Sequence, residues 1–413
     1  MSVPSAEMRP SDLRQPDRRH EAPVIGIISF GHLLSHLYML ALPPLFPLLR
    51  SDFGVGYVEL GLTITAYALT TGLLQTPVGF LVNRIGGQRV LAGGLFLNAL
   101  AIALAGVATQ YWQLVALMLL AGMGSSVFHP ADYSILNARI STGRLGRALS
   151  AHSLAGNFGF LAAPPLMVTL AALTDWRTAA LMIGGVGMAL AAAIAVLTGI
   201  LSGAGSTKAK QRDSWRELLT SPKIVLLFAF YVLSSAANSG MVHFSVVAFK
   251  DIYHLPVTAT AVALTAYQGL QMLAVLPGGW LADKVKNHEL LLALCFGVSG
   301  VLVLLAGAGG LPFWLVIGLL GGAGALRGLV NASRDVSVRH AATDRVSVGT
   351  LFGFVTTGYS GGQMIGPALY GWIMDFGRPE LVFWASAGFS TLAIATMLVN
   401  VSTTKKERPA PQG

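Results

Sequence analysis

Apolar runs of membrane-crossing length alternate with short polar connections along almost the whole chain. A hydrocarbon layer of about 30 Å needs roughly 20 helical residues. The runs predict twelve helices, at 24–49, 57–82, 88–108, 112–137, 147–172, 176–201, 223–250, 259–282, 288–309, 312–338, 348–374 and 379–402. One long polar stretch interrupts them, SGAGSTKAKQRDSWRELLTSPK from Ser202 to Lys223. The pattern therefore divides into a polar tail 1–23, a six-helix half 24–201, a linker 202–222, a second six-helix half 223–402 and a tail 403–413. The expected fold class is an all-α membrane protein of twelve transmembrane helices in two six-helix halves.

Composition agrees. Of 413 residues, 54% are hydrophobic and 11% charged, and the mean hydropathy is +0.65. An ordinary soluble domain is about a quarter charged. The single cysteine, Cys295, excludes an intramolecular disulfide and a thiolate metal cluster. The N-terminal stretch MSVPSAEMRPSDLRQPDRRHEAP lacks the apolar core and cleavage site of a signal peptide and reads as a cytosolic tail.

Basic residues set the orientation, because they favour the cytosolic side in short loops. With the N-terminus inside, 22 of the 27 Lys and Arg fall on inner segments. Arg50, Arg177, Lys250 and Arg378 fall outside, and Arg327 lies within span ten. Both termini are thus expected in the cytoplasm, with the chain in a cell membrane of the bacterial inner-membrane type. The net charge of +9 then faces anionic inner-leaflet lipid, so lipid and not nucleic acid is the expected surface partner. A monomer is expected. No phosphate-cradling loop, metal-ligand spacing or nucleophile with its base stands in the sequence, so neither an enzyme nor a cofactor or metal site is expected.

The halves echo each other. GMGSS at Gly122 matches GAGAL at Gly322, LAAPP ending at Pro165 matches MIGPA around Pro367, and TDWR at Asp175 leads into span six much as MDFGR at Asp375 leads into span twelve. These echoes point to two parallel pseudo-symmetric halves with a small-molecule substrate at the midplane between them.

The loop GFLVNRIGGQRVL after span two resembles the loop signature of the major facilitator superfamily, in Gly79, Leu81, Arg84 and Gly86. The usual aspartate is Asn83. The second copy, GGWLADKVKNHEL, keeps it, with Gly279, Leu281, Asp283 and Lys284. The resemblance covers about residues 24–402 and implies that Gly79, Asn83, Arg84, Gly86, Gly279, Asp283 and Lys284 form conformational latches, the first weakened by the neutral Asn83. GHLLSHLYMLALPPLFPLL in span one and GMGSSVFHP through GRLGRALSAHSLAGNFGFLAAPP in spans four and five resemble the fosmidomycin-resistance-like branch. Two positions depart from it: Ser35-His36 replaces an amide-acid pair, and Ala131 follows Pro130 where an acid is expected. Asp132 comes one residue late, about 100° around the helix.

The polar residues within the spans are the candidate site. His32 and His36 share a face of span one at i and i+4. His36 lies about 18 Å deep, near the midplane. It is the first candidate for a proton site, with His129 and His32 as alternatives, since imidazole titrates near neutral pH. His129 could equally make a structural hydrogen bond. Pro130 beside it removes a backbone donor and predicts a bend. Asp132 is expected in the inner headgroup zone. Arg327 stays charged and needs a partner, either an anionic substrate group or a fixed acid. Asn238, Tyr267, Gln268, Gln271, Asn331 and Gln363 are candidate cavity linings. Together these features predict a secondary transporter working by alternating access. Proton-coupled efflux of an anionic or amphipathic compound, antibiotics included, ranks first, and proton-coupled uptake of an organic anion second.

Overall fold

Inside hydrocarbon each backbone N–H and C=O must find a partner within the protein, so the apolar runs become helices. A computed structural model describes residues 18–197, 201, 215–341, 343, 346 and 348–406. Most of the expected linker 202–222 and of both tails lies outside the described residues. Span one is Arg18–Met39, a 3-10 turn at Pro43–Leu45, then Phe46–Phe53. Span two is Tyr57–Ile85, span three Gly87–Ala105, and span four Tyr111–Ser125 with Phe128–Arg139. Spans five and six are Thr142–Leu173 and Trp176–Val196. A short helix, Trp215–Thr220, precedes span seven, which runs Pro222–Ser239, a π-helical turn Gly240–Phe244, and Ser245–Tyr253. Spans eight and nine are Val257–Lys284 and His288–Gly307. Span ten is Phe313–Leu329 with Asn331–Arg339. Span eleven, Val348–Asp375, and span twelve, Glu380–Lys406, complete the bundle. Eleven of these spans are long and apolar enough to cross a membrane. Span eleven, a helix of 28 residues, packs against spans two and seven.

The sequence pattern predicts continuous helices, but spans one, four, seven and ten are each interrupted. In span one the adjacent Pro43 and Pro44 supply no N–H donors, and the chain bridges the gap with the tighter 3-10 turn. In span four the break is at Ser126 and Val127, one turn ahead of the expected bend at Pro130. A proline deprives the carbonyl four residues before it of its donor and crowds it, so the helix parts at Ser126. Span six stops at Val196 instead of reaching 201. The interruptions recur every third span, as expected of nested three-helix repeats.

Three helix pairings recur in both halves, although span seven also packs on twelve where span one barely meets six. Span one packs on five as seven packs on eleven, two on four as eight on ten, and three on six as nine on twelve. The halves meet mainly where span two lies along eleven and span five along eight.

At the end of the bundle remote from the termini, spans two and eleven come into backbone contact. A Cβ added at Gly61 would lie 2.2 Å from the Pro367 carbonyl oxygen, so only glycine fits. Thr65 Oγ1 donates to the Met364 carbonyl at 2.7 Å. Asp375 accepts from the backbone N–H of Tyr57 at 2.8 Å and of Val58 at 2.7 Å. These are orphan donors at the start of span two, where a carboxylate is favoured. The echo between Asp175 and Asp375 thus conceals a difference. Asp175 caps span six in its own half, through the N–H groups of Arg177 and Thr178, and the Thr178 hydroxyl and these amides hold its carboxyl below the usual range. Asp375 reaches across to the other half.

At the opposite end the latch candidates are disengaged. Asn83, Arg84, Asp283 and Lys284 are exposed. Nothing lies within 4 Å of a Cβ built on Gly79, Gly86 or Gly279. Lys284 sits 3.7 Å over the Trp280 ring of its own helix. The cavity between the halves is therefore sealed at the end remote from the termini.

Gly61→Val should prevent that seal. In a Cys295→Ser background, a cysteine introduced at Asn238 in the cavity should become reactive to an impermeant maleimide applied at the remote face. In the parent it should stay protected.

Candidate binding cavity

A cavity of about 380 Å³ lies between the halves, lined by residues of spans one, two, four, five, seven, eight, ten and eleven. That volume suits a small solute.

One wall is imidazole. His32 and His36, a helical turn apart on span one, have ring centroids 4.4 Å apart, and the His129 ring stands 5.3 Å from His32. Span five can approach because it presents Gly156, where a Cβ would lie 2.7 Å from His32 and 2.9 Å from His36. Behind His32 is His152, stacked on it at 3.8 Å. Asp132 is fully buried within the bundle, not reaching out to water as a helix-end acid would. The break in span four sets a new helical register from Phe128 onward, and this register turns Asp132 into the bundle. Its Oδ2 lies 3.7 Å from His32 Nδ1 and 3.7 Å from His152 Nε2. A carboxylate does stand beside the span-one histidines, supplied by span four. His152 and Asp132 are the residues that sequence reasoning missed. The available signal was a titratable residue one helical turn before Gly156 in an otherwise apolar stretch.

The facing wall is neutral and polar. Asn238, Gln268, Gln271, Asn331 and Gln363 line it, together with His243 and Tyr359. Tyr267 is not at the surface of the cavity; it is buried and donates to Asn238 Oδ1 at 3.1 Å, orienting that amide. His243 Nδ1 lies 3.1 Å from the Ser239 carbonyl. The Ser239 hydroxyl lies at the same 3.1 Å from Nδ1, so Ser239 engages that nitrogen in either tautomer and Nε2 is the one left over. That Nε2, Gln268 Nε2 and Gln363 Oε1 have no partner in the protein, which leaves them available to a solute. Met39, Phe128, Phe160, Val242, Met272 and Val275 supply apolar surface between the two walls.

Arg327 does not reach this cavity. It is buried behind it, with Nε donating to Ser299 Oγ at 3.2 Å, a terminal nitrogen donating to Ser390 Oγ at 2.7 Å, and the guanidinium 5.0 Å over the Phe296 ring. Its partners come from spans nine and twelve, and they are neither an acid nor a cavity-bound solute. Among the described lining residues none is Arg, Lys, Asp or Glu.

The spans thus form two pseudo-equivalent halves around a cavity that is closed at one end. The profile of the Major Facilitator Superfamily matches residues 28–266 and 229–413, and the chain belongs to that family. It is 30% identical to the fosmidomycin resistance protein of Escherichia coli over 149 residues, 36% of each chain. It is 24% identical to the probable L-galactonate transporter of the same organism, over 42% of this chain and 38% of that one. The match to the multi-drug resistance efflux pump PmrA of Streptococcus pneumoniae is 25% identical over 83% of this chain and 87% of the pump. The matches to the first two relatives thus span little more than a third of their lengths. Among solved structures, a bacterial homolog to the human lysosomal transporter Spinster, inward-facing and occupied, superimposes with a TM-score of 0.80 at 14% identity, covering 96% of this chain and all of that one. A variant of the nucleoside transporter NupG gives a TM-score of 0.75 at 16% identity, covering 92% and 99% of the two chains.

The surroundings of Arg327 predict a structural role. Ser390→Ala removes an acceptor from a buried guanidinium and should lower stability by about 1–3 kcal/mol, read as a fall in thermal unfolding temperature. Solute affinity should be unchanged within error.

Proposed function

We propose that this protein exports a small amphipathic organic compound, antibiotics included, in exchange for protons, by rocking its two halves about the central cavity. The observation that carries this reading is the cavity itself: apolar and aromatic side chains between two hydrogen-bonding walls, with no resident Arg or Lys among the described lining residues. That surface complements an amphipath better than a bare anion. The basic-residue asymmetry supports cytoplasmic termini; the sealed end would then face outward and the cavity would receive its solute from the cytosol. Relatives named as an efflux pump and a resistance protein support the outward direction. The proton is assigned to His36, which lines the cavity with its Nδ1 unpartnered. Solute and proton would then occupy one wall in alternate half-cycles. Proton-coupled uptake of an organic anion is the second reading, favoured by the relative named for L-galactonate.

Everted vesicles under an imposed pH gradient test both, with amphipathic antibiotics and sugar acids as solutes. Wild-type vesicles should accumulate an amphipath when the lumen is acidic. His36→Gln should abolish this pH-driven accumulation while counterflow exchange persists. Unchanged accumulation in both His36→Gln and His129→Gln would remove protons from these residues. Accumulation of sugar acids alone, in right-side-out vesicles, would favour the second reading.

On the facing wall, Gln268→Leu loses a hydrogen bond to the solute. It should raise KM about three- to tenfold with kcat nearly unchanged, the size expected of one net hydrogen bond.

A further inference from the structure

The group behind the imidazole wall has polar atoms that converge without bonding. Asp132 Oδ2 is equidistant from His32 Nδ1 and His152 Nε2, at 3.7 Å from each. This is beyond hydrogen-bond length. Both oxygens of Asp132, His32 Nδ1 and both ring nitrogens of His152 are buried and have no partner in the protein. A carboxylate with no hydrogen bond inside the bundle is costly, and a bound cation is one way to offset that cost. Each of His32, His129 and His152 also offers a nitrogen within 4.8 Å of the other two. Two ligands of one tetrahedral zinc-sized ion, each about 2.0–2.2 Å from it, stand roughly 3.4 Å from one another. The two 3.7 Å separations need close by only a few tenths of an ångström, and the three imidazole nitrogens, within 4.8 Å of one another, by up to about 1.4 Å, for Asp132 to join them as fourth ligand.

We infer that His32, His129, His152 and Asp132 form a binding site for one divalent transition-metal ion of the zinc class. Three imidazoles and one carboxylate suit zinc, cobalt or nickel. Calcium and magnesium are poorly matched, since they require mostly oxygen ligands. The ion would neutralise the Asp132 charge. All four ligands belong to spans one, four and five, within one half, so rocking of the halves leaves the site intact. Entry is through His129, which is exposed at the cavity, and the other three ligands are buried behind it. No linear spacing displays the site, because the ligands come from three helices and meet only through the break in span four and the close approach at Gly156.

The test uses purified, tag-free, full-length protein in detergent, stripped of metal with a chelator and titrated with Co²⁺. The chain should bind one Co²⁺ with the intense visible absorption of a four-coordinate site, and Zn²⁺ should displace it. Asp132→Asn and His152→Gln should each weaken Co²⁺ binding by about tenfold or more. His243→Gln, on the opposite wall, should bind as wild type. Two cluster variants are compared so that one failing to fold, as judged by gel filtration, leaves the other as the measure. No Co²⁺ or Zn²⁺ bound at micromolar concentration, or unchanged binding in a folded cluster variant, would overturn the inference. The measurement needs neither solute nor pH gradient, so its outcome is separate from that of the transport reading.

Discussion

Polar groups within a bilayer have no water to fall back on, and the structure depends on how each is satisfied. The backbone is satisfied by helix formation almost everywhere. Two of the buried charged side chains in the spans, Arg327 and Asp132, are handled differently. Arg327 is turned away from the cavity onto two serine hydroxyls and an aromatic face. The serine hydrogens are already donated to the carbonyls of Ala323 and Ser386, so their oxygens are free to accept from the guanidinium. Asp132 is surrounded by imidazoles that approach it without bonding to it. One buried charge is held by hydrogen bonds to its neighbours, and the other has none.

Mobility is confined in the same way. Each half is knit by its own helix pairs, and few elements cross between the halves. The crossing contacts at the remote end are backbone contacts and a carboxylate cap. They are short and form only when spans two and eleven lie together, so they can break as a unit. The loop residues at the other end are exposed. The bundle is thus closed by one set and released from the other.

The two walls of the cavity divide the chemistry. The first half supplies three imidazoles, with a buried carboxylate beside His32, and the second supplies mostly amides, with His243 and Tyr359. Much of the second wall was legible in the sequence, because isolated Asn and Gln in apolar helices point inward to avoid lipid. The first wall was legible only in His32, His36 and His129. His152 went unmarked because a single histidine in an alanine- and glycine-rich stretch has no periodic partner on its own helix. Arg327 was legible as a buried cation, but its direction was not, because the serines that receive it lie 28 and 63 residues away in sequence.

By itself the sequence determined the features set by local composition: the twelve apolar lengths, the division into halves, the charge asymmetry and the loop signatures. Hydrocarbon thickness and the cost of unsatisfied backbone act on each segment independently, so those features can be read one segment at a time. The tertiary structure alone decided where helices break and which partner a polar side chain meets. Asp175 and Asp375 stand in matching strings, yet one caps its own half and the other clasps the opposite half. Asp132 falls one position from where the resembling branch would have an acid, yet a two-residue interruption before Pro130 turns it into the bundle between two histidines. Contact between helices depends on rotation and register, and a break of one or two residues changes both for every residue beyond it.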